Sequence, residues 1–345
     1  MFDLTPQNIG SYLRKRGWIP PDKTVQANLL AWGVSNLVMR IVIKPDDKTA
    51  RNLSEVVIKQ SRRKLRTQAE WFSRLDRIWR EADVITVIEP LLPKGTVPRV
   101  LFEDRENYTL AMDAIDANHV VWKESLLKGE VDPEIGTAAA SFLGIIHRET
   151  SLLPDLESQF GDQTVFDELR IDPFYRSIAL KHPDLKQPVA KLIQEMATEK
   201  TCLVLADFSP KNILVTATGV SLVDFETGHF GDPAFDLGFF LSHILLKAIL
   251  HAPQDKRFTD LAKNFLDRYF EELQAVFDEG ELARRTVGHL AGCLLARIDG
   301  VSPVDYLDEN QQQIARSFAM QLFQDELRHP DEAINLLIDL LASQN

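Results

Sequence analysis

Three short apolar runs, Cys202–Leu205, Ile213–Thr216 and Val220–Val223, lie close together in the chain, and the polar residues between them constrain what the rest can build. The last two runs are separated by Ala217-Thr218-Gly219, and three residues including a glycine read as a hairpin connection. If Thr216 pairs with Val220, then Ile213 pairs with Val223 and the next pair outward is Asn212 with Asp224, their Cα atoms roughly 5 Å apart. Asp207, on the loop entering the hairpin, is tethered near both. A carboxylate, an amide and a second carboxylate are therefore expected at one end of a sheet.

That trio has a chemical use. Asn212 and Asp224 offer hard oxygen ligands for Mg²⁺, which takes one or two carboxylates together with substrate phosphates. Asp207 is left to accept a proton from a substrate hydroxyl. Taken singly, an Asp or Asn here is as well explained as a turn cap; the ordered set carries the argument.

The segments DFSPKNILV, LVDFETGHFGDPAFDLG and the amino-terminal GVSN resemble the aminoglycoside phosphotransferase and choline kinase superfamily, with methylthioribose kinases among its nearer branches. The resemblance covers most of the chain, with its motifs in family order. It implies an α+β, two-lobed, protein-kinase-like fold: a small antiparallel-sheet N-lobe over 1–112, a hinge at 113–118 and a larger, mainly helical C-lobe over 119–345. ATP would lie between the lobes, with Mg²⁺ as the second cofactor and a hydroxyl of a small molecule as acceptor, whether sugar, aminoglycoside or amino alcohol. Between Asp224 and Asp236 there is no long activation segment closing on Ala-Pro-Glu, which disfavours a protein substrate. Glu226 follows Asp224 by two residues, so a continuing strand would set both on one face and make Glu226 a third metal contact. In the family, Asp236 braces the catalytic loop.

Asn28–Ile43 breaks at Gly33 between two strand-like runs, placing a hairpin turn at Trp32–Asn36. One glycine does not identify a phosphate loop; the resemblance makes Gly33, Ser35 and Asn36 the nucleotide-covering turn, although a second glycine is usual where Trp32 stands. In the strand Glu55–Gln60, Lys59 shares a face with Val57 while Val56 and Ile58 take the other. By resemblance Lys59 contacts the α- and β-phosphates, and Glu81, at the edge of the apolar stripe of a helix over Leu65–Ile88, is its partner; Glu70 is the rival. Thr96–Met112 reads as two further strands joined at 104–107, and an adenine base would bond main-chain groups near Met112 and Ala114.

The rest of the chain narrows the classes. A net charge of −12 over 345 residues argues against a duplex nucleic-acid binder. Cys202 and Cys293 are too few for a disulfide framework, and no apolar run suffices for a membrane span, so a cytoplasmic monomer or homodimer is expected. Glu134–His147 reads as a helix with His147 at its C-terminal end, and Thr259–Phe277 and Asp325–Asn345 as further helices. Phe160–Lys181 is given no chemistry; by the family resemblance Arg297 and Asp299 sit on a corner that can border the acceptor, and helix capping explains them about as well. Two other classes stand beside the kinase. A catalytically degraded nucleotide-binding protein is one, since Leu205-Ala206 replace the usual His-Gly before Asp207; a metal-binding structural or interaction protein is the other.

Overall fold

A computed structural model describes residues 2–30, 36–44, 54–64, 72–252 and 256–343. The chain divides into two compact units, Met1–Ala117 and Asn118–Asn345.

The first unit is built on five antiparallel strands, β1 (Thr24–Leu29), β2 (Asn36–Lys44), β3 (Ser54–Ser61), β4 (Val100–Asp104) and β5 (Thr109–Asp113), in the order β1-β2-β3-β5-β4. Alternation decides which face is buried: Leu37, Met39 and Ile41 of β2 join Ile58 and Ala111 in a core closed by Leu4, Ile9, Tyr12, Leu13 and Ile19. The helix Arg77–Ile88 packs on β3, β4 and β5 and buries Ile78, Ala82, Ile85 and Glu81. It starts later than the sequence pattern suggests. Residues 65–71 lie outside the described part; Phe72 is bridged to Lys64 and Ser73 N donates to Arg63 O, so Phe72 and Ser73 are not helical although the expected helix included them. The first helix spans Ile9–Lys15, and Gly17 turns the chain out of it at φ +76°.

The second unit is mainly helical. Its centre is the helix Ala234–Leu250, buried along nearly its whole length and packed by Glu279–Asp299 and Arg257–Leu273. Two small antiparallel ladders sit beside it: β7 (Cys202–Val204) with β10 (His229–Gly231), and β6 (Val120–Val121) with β8 (Ile213–Thr216) and β9 (Gly219–Leu222). Three helix ends differ from expectation. The helix Pro133–Ser151 runs past His147, which is a buried member rather than a C-terminal cap. Arg257–Leu273 stops short of Phe277 because Gln274 and Ala275 both take positive φ. The last segment is a separate helix, Pro330–Ala342, opened by proline in its first turn and by the His329 side chain accepting from Asp331 N.

Candidate functional site

The hairpin forms, but one residue out of the expected register. Thr216 pairs with Gly219, Val215 with Val220 and Ile213 with Leu222, so the connection is the two residues Ala217-Thr218. Gly219 is the first strand residue, at φ +136°, a conformation few other residues adopt. The residue opposite Asn212 is then Val223, whose N–H donates to the Asn212 carbonyl at 3.1 Å. Asp224 follows the ladder rather than belonging to it and sits at φ +73°. That turn also ends the strand-face argument for Glu226, which is buried at the start of a turn.

Asp207 and Asn212 are brought together by the loop itself. Asn212 Nδ2 donates to Asp207 Oδ2 at 2.8 Å and to the Asp207 carbonyl at 3.0 Å, leaving the amide oxygen for a cation. The backbone that delivers Asp207 is strained, since Ala206 stands at φ +58°, where a Cβ is disfavoured. A buried carboxylate offsets that strain. Asp236 accepts from Leu205 N and from Ala206 N, both at 2.7 Å. Behind it His147 Nε2 lies 3.2 Å from Asp236 Oδ2, and His147 Nδ1 lies 2.7 Å from Tyr269 Oη. Burial holds the Tyr269 hydroxyl well above its ordinary pKa, so it remains a donor to the ring. Thr227 adds a bond from Oγ1 to the Leu205 carbonyl at 2.9 Å.

One residue of this site gave no sequence signal. Arg170 lies in a ten-residue π-helical stretch, Asp167–Arg176, a geometry often found at functional positions. Its Nη2 is 2.6 Å from Asp207 Oδ1, and its Nε donates to the Ala206 carbonyl at 2.7 Å. The buried guanidinium thus clamps both the carboxylate and the strained peptide beside it. Lys211 Nζ stands 3.4 Å from Asp207 Oδ2 on the more exposed side.

In the first unit, Lys59 Nζ and Glu81 Oε1 are 2.5 Å apart, both nearly inaccessible to water. Lys59 comes from the central strand, between Val38 of β2 and Leu110 of β5. The rival Glu70, and with it Trp32, Gly33 and Ser35, lie outside the described residues; β1 and β2, on either side of residues 31–35, pair antiparallel as far as Leu29 with Met39. Asn36 opens β2 with its Oδ1 accepting from Arg77 Nη2 at 3.2 Å. Met112 is buried in β5 opposite Val57, and Ala114 is half-buried just beyond that strand. Asp299 receives Lys181, His182 and Arg316, which ties three segments together.

Among the described residues no group of three or more His, Cys, Asp or Glu side chains is gathered closely enough to hold a metal by itself. The hard oxygens of Asn212 and Asp224 suit a cation whose shell is completed by phosphate oxygens and water, as Mg²⁺ prefers. No helix among the described residues is long and apolar enough to cross a membrane.

The fold, with its small antiparallel sheet and helical remainder, is that of the kinase-like phosphotransferases. It aligns with a choline kinase from Cryptosporidium parvum Iowa II at a TM-score of 0.59 and 13% identity, covering 98% of this chain and 100% of that one. An amicoumacin kinase, hAmiN, solved with AMP-PNP, Ca²⁺ and Ami, also aligns at 0.59 and 13% identity, covering 95% and 96%. Residues 28–285 match the Phosphotransferase enzyme family, and the chain belongs to it. A methylthioribose kinase of Yersinia enterocolitica is 27% identical over 272 residues, 70% of this chain; the match spans 66% of that relative's length. A methylthioribose kinase of Yersinia pestis is 25% identical, with 91% of this chain and 88% of the relative covered.

Proposed function

We propose that this protein is an ATP- and Mg²⁺-dependent kinase that transfers the γ-phosphate to a hydroxyl of a small molecule. The observation that carries the reading is the braced loop, in which a carboxylate at a fixed position, Asp207, is hydrogen-bonded to Asn212, with Asp224 just beyond the hairpin at φ +73°. Backbone strain held in place by buried bonds is characteristic of functional positions, and it falls here on Ala206, next to Asp207, and on Asp224 itself.

In this reading Asp207 takes the proton of the acceptor hydroxyl as its oxygen bonds to phosphorus, and Arg170 keeps that carboxylate oriented. Asn212 and Asp224, with Glu226 on the following turn, would hold the metal. Bound Mg²⁺ would neutralise phosphate charge, the main electrostatic demand of this reaction. Lys59, fixed by Glu81, would bind the nucleotide phosphates together with Gly33, Ser35 and Asn36, and the main chain near Met112 and Ala114 would receive the base. A metabolite kinase working on cytosolic ATP acts in the cytoplasm.

The test is ATP consumption by the full chain with Mg²⁺ across hydroxylated metabolites, methylthioribose, choline and aminoglycosides included, beside calorimetric titration of MgATP. Binding of MgATP and acceptor-stimulated turnover, both lost in Asp207→Asn plus Asp224→Asn, is the expected result. A chain that binds no MgATP is not this enzyme.

A further inference from the structure

Three cations of the second unit stand together without an ion pair to any carboxylate among the described residues, Asp305 and Asp207 acting on them only at longer range. Lys247, on the helix Ala234–Leu250, is fully buried; its Nζ donates to the His243 carbonyl of its own helix at 2.9 Å and lies 5.5 Å from the Tyr306 ring centre. Arg297, near the end of Glu279–Asp299, gives Nη1 to the Ser302 carbonyl at 2.5 Å, while its buried Nε has no hydrogen-bond partner. The buried hydroxyl of Tyr306 has none either. Lys123, on the helix Trp122–Leu127, completes the group. Among the described residues none of the three cations has a carboxylate within the 4.0 Å of an ion pair.

Their proximity is felt in their acidity. Burial first, then the positive charges of Lys123 and Arg297, bring the Lys247 ammonium down to about 7. Burial also lowers Arg297, whose charge interacts with Asp207, and Lys123 is lowered by burial, Arg297 and Lys211. The helix Trp122–Leu127 packs against the turn Pro210–Asn212, and Glu279–Asp299 packs against Ala234–Leu250, which sets the cluster beside the loop that carries Asp207 and Lys211.

A buried cation without a counter-ion is costly, and buried donors are rarely left unpaired unless something else is meant to meet them. Arg Nε can only donate, so its missing partner is an acceptor. Arg297 and Lys123, joined by Lys247, which is partly protonated near neutral pH and is drawn to full protonation by a negative neighbour, select an anion for that place. The nearby protein carboxylates do not fill it, because Asp207 is engaged by Arg170, Lys211 and Asn212, and Asp305 is exposed.

We propose that Lys247, Arg297, Lys123 and Tyr306 form the part of the acceptor site that holds an anionic group, so that the hydroxylated small molecule phosphorylated here carries a carboxylate or a phosphate ester. This rests on the phosphotransferase reading above. The anion undergoes no bond change: the phosphoryl group passes to the hydroxyl oxygen, the hydroxyl proton to Asp207, and ADP leaves. The cluster fixes the far end of the acceptor and excludes neutral and cationic ones.

The test uses the full chain saturated with Mg²⁺ and AMP-PNP, titrated calorimetrically with glycerate, ribonate and gluconate against glycerol, ribitol and sorbitol. Glycerol 3-phosphate and ribose 5-phosphate form the phosphate arm. At least one anion is expected to bind about tenfold or more tightly than its neutral counterpart, a difference of roughly 1.4 kcal/mol. Lys247→Met and Arg297→Gln should each remove that preference while MgATP affinity stays as in wild type. Unliganded Lys247→Met should melt at the wild-type temperature or above, since it removes a buried charge of similar shape; a purely structural lysine would give a lower one. The arm that binds tells carboxylate from phosphate. Equal binding of every anion and its neutral partner, or undiminished anion binding by Lys247→Met, overturns the proposal. MgATP binding with a neutral acceptor preferred sinks this inference alone, whereas failure of wild type to bind MgATP sinks the kinase reading and this one with it.

Discussion

Replacing Asp236 by Asn tests whether the catalytic loop is held by its brace. The carboxylate accepts two backbone N–H bonds at 2.7 Å, from Leu205 and Ala206, and faces His147 Nε2 at 3.2 Å, all fully buried. An amide of the same shape keeps one acceptor oxygen and turns an N–H₂ toward another donor. Charge-assisted bonds of this kind contribute about 1.5–3 kcal/mol each, and breaking a buried charged arrangement costs about 3–5 kcal/mol. A loss of roughly 3–4 kcal/mol is the working figure, and at about 2–4 °C per kcal/mol for a unit of this size the melting temperature should fall by roughly 6–16 °C. Freed of the brace, Ala206 should leave φ +58° and displace Asp207. Thermal unfolding by circular dichroism, beside turnover of the wild-type acceptor, reads both effects. A melting temperature within about 2 °C of wild type, with turnover intact, would show that the loop does not depend on Asp236.

Arg170→Met should lower kcat by about tenfold or more, the equivalent of 1.4 kcal/mol in the transition state, while MgATP affinity holds; steady-state kinetics of Arg170→Lys should show only partial recovery, because an ammonium cannot serve Asp207 and the Ala206 carbonyl as the fork does. Lys59→Met should sharply weaken ATP use and Glu81→Gln should do so to a lesser degree; a silent Glu81→Gln in the same assay excludes that residue as the lysine's partner. Burial alone would raise the Asp299 carboxyl, but hydrogen bonds from Arg316, Lys181 and His182 outweigh it and hold the group well below the usual carboxylate range. A depressed pKa gives stability that is complete above the unfolded value of about 3.9 and is lost as pH falls below it. Urea unfolding of wild type and Asp299→Asn should therefore differ by a constant amount from pH 7 down to about pH 5, with the gap starting to narrow only below about pH 4 and closing as pH falls on toward the depressed folded-state value.

What could be read from the chain was local. Period-two burial set the strand faces, so Lys59 opposite Ile58 followed from alternation, and the sequence order of Asp207, Asn212 and Asp224 marks the loop and hairpin on which the candidate site is read. The hairpin register failed by one residue because Ala217-Thr218-Gly219 allows a three-residue turn or a two-residue turn with glycine as the first strand position; the second formed. Asp224 then left the ladder, and with it went the alternation that tied Glu226 to its face. Arg170 meets Asp207 from a distant segment wound as a π-helix, which has no periodic signature. Lys247 was hidden in an apolar run that reads correctly as a buried helix, since pattern reports that a face is buried and not which buried residue lacks a partner.

The central claim is that Asp224 holds the metal-nucleotide while Asp207 serves the acceptor, and calorimetric titration of MgATP into the two asparagine variants tests it most directly. Asp207→Asn should bind MgATP with near-normal affinity while its turnover falls by roughly 10²-fold or more, the scale of a positioned base. Asp224→Asn should lose Mg²⁺-dependent binding and turnover together. Abolished MgATP binding in Asp207→Asn, with binding intact in Asp224→Asn, would contradict the assignment and reverse the two roles.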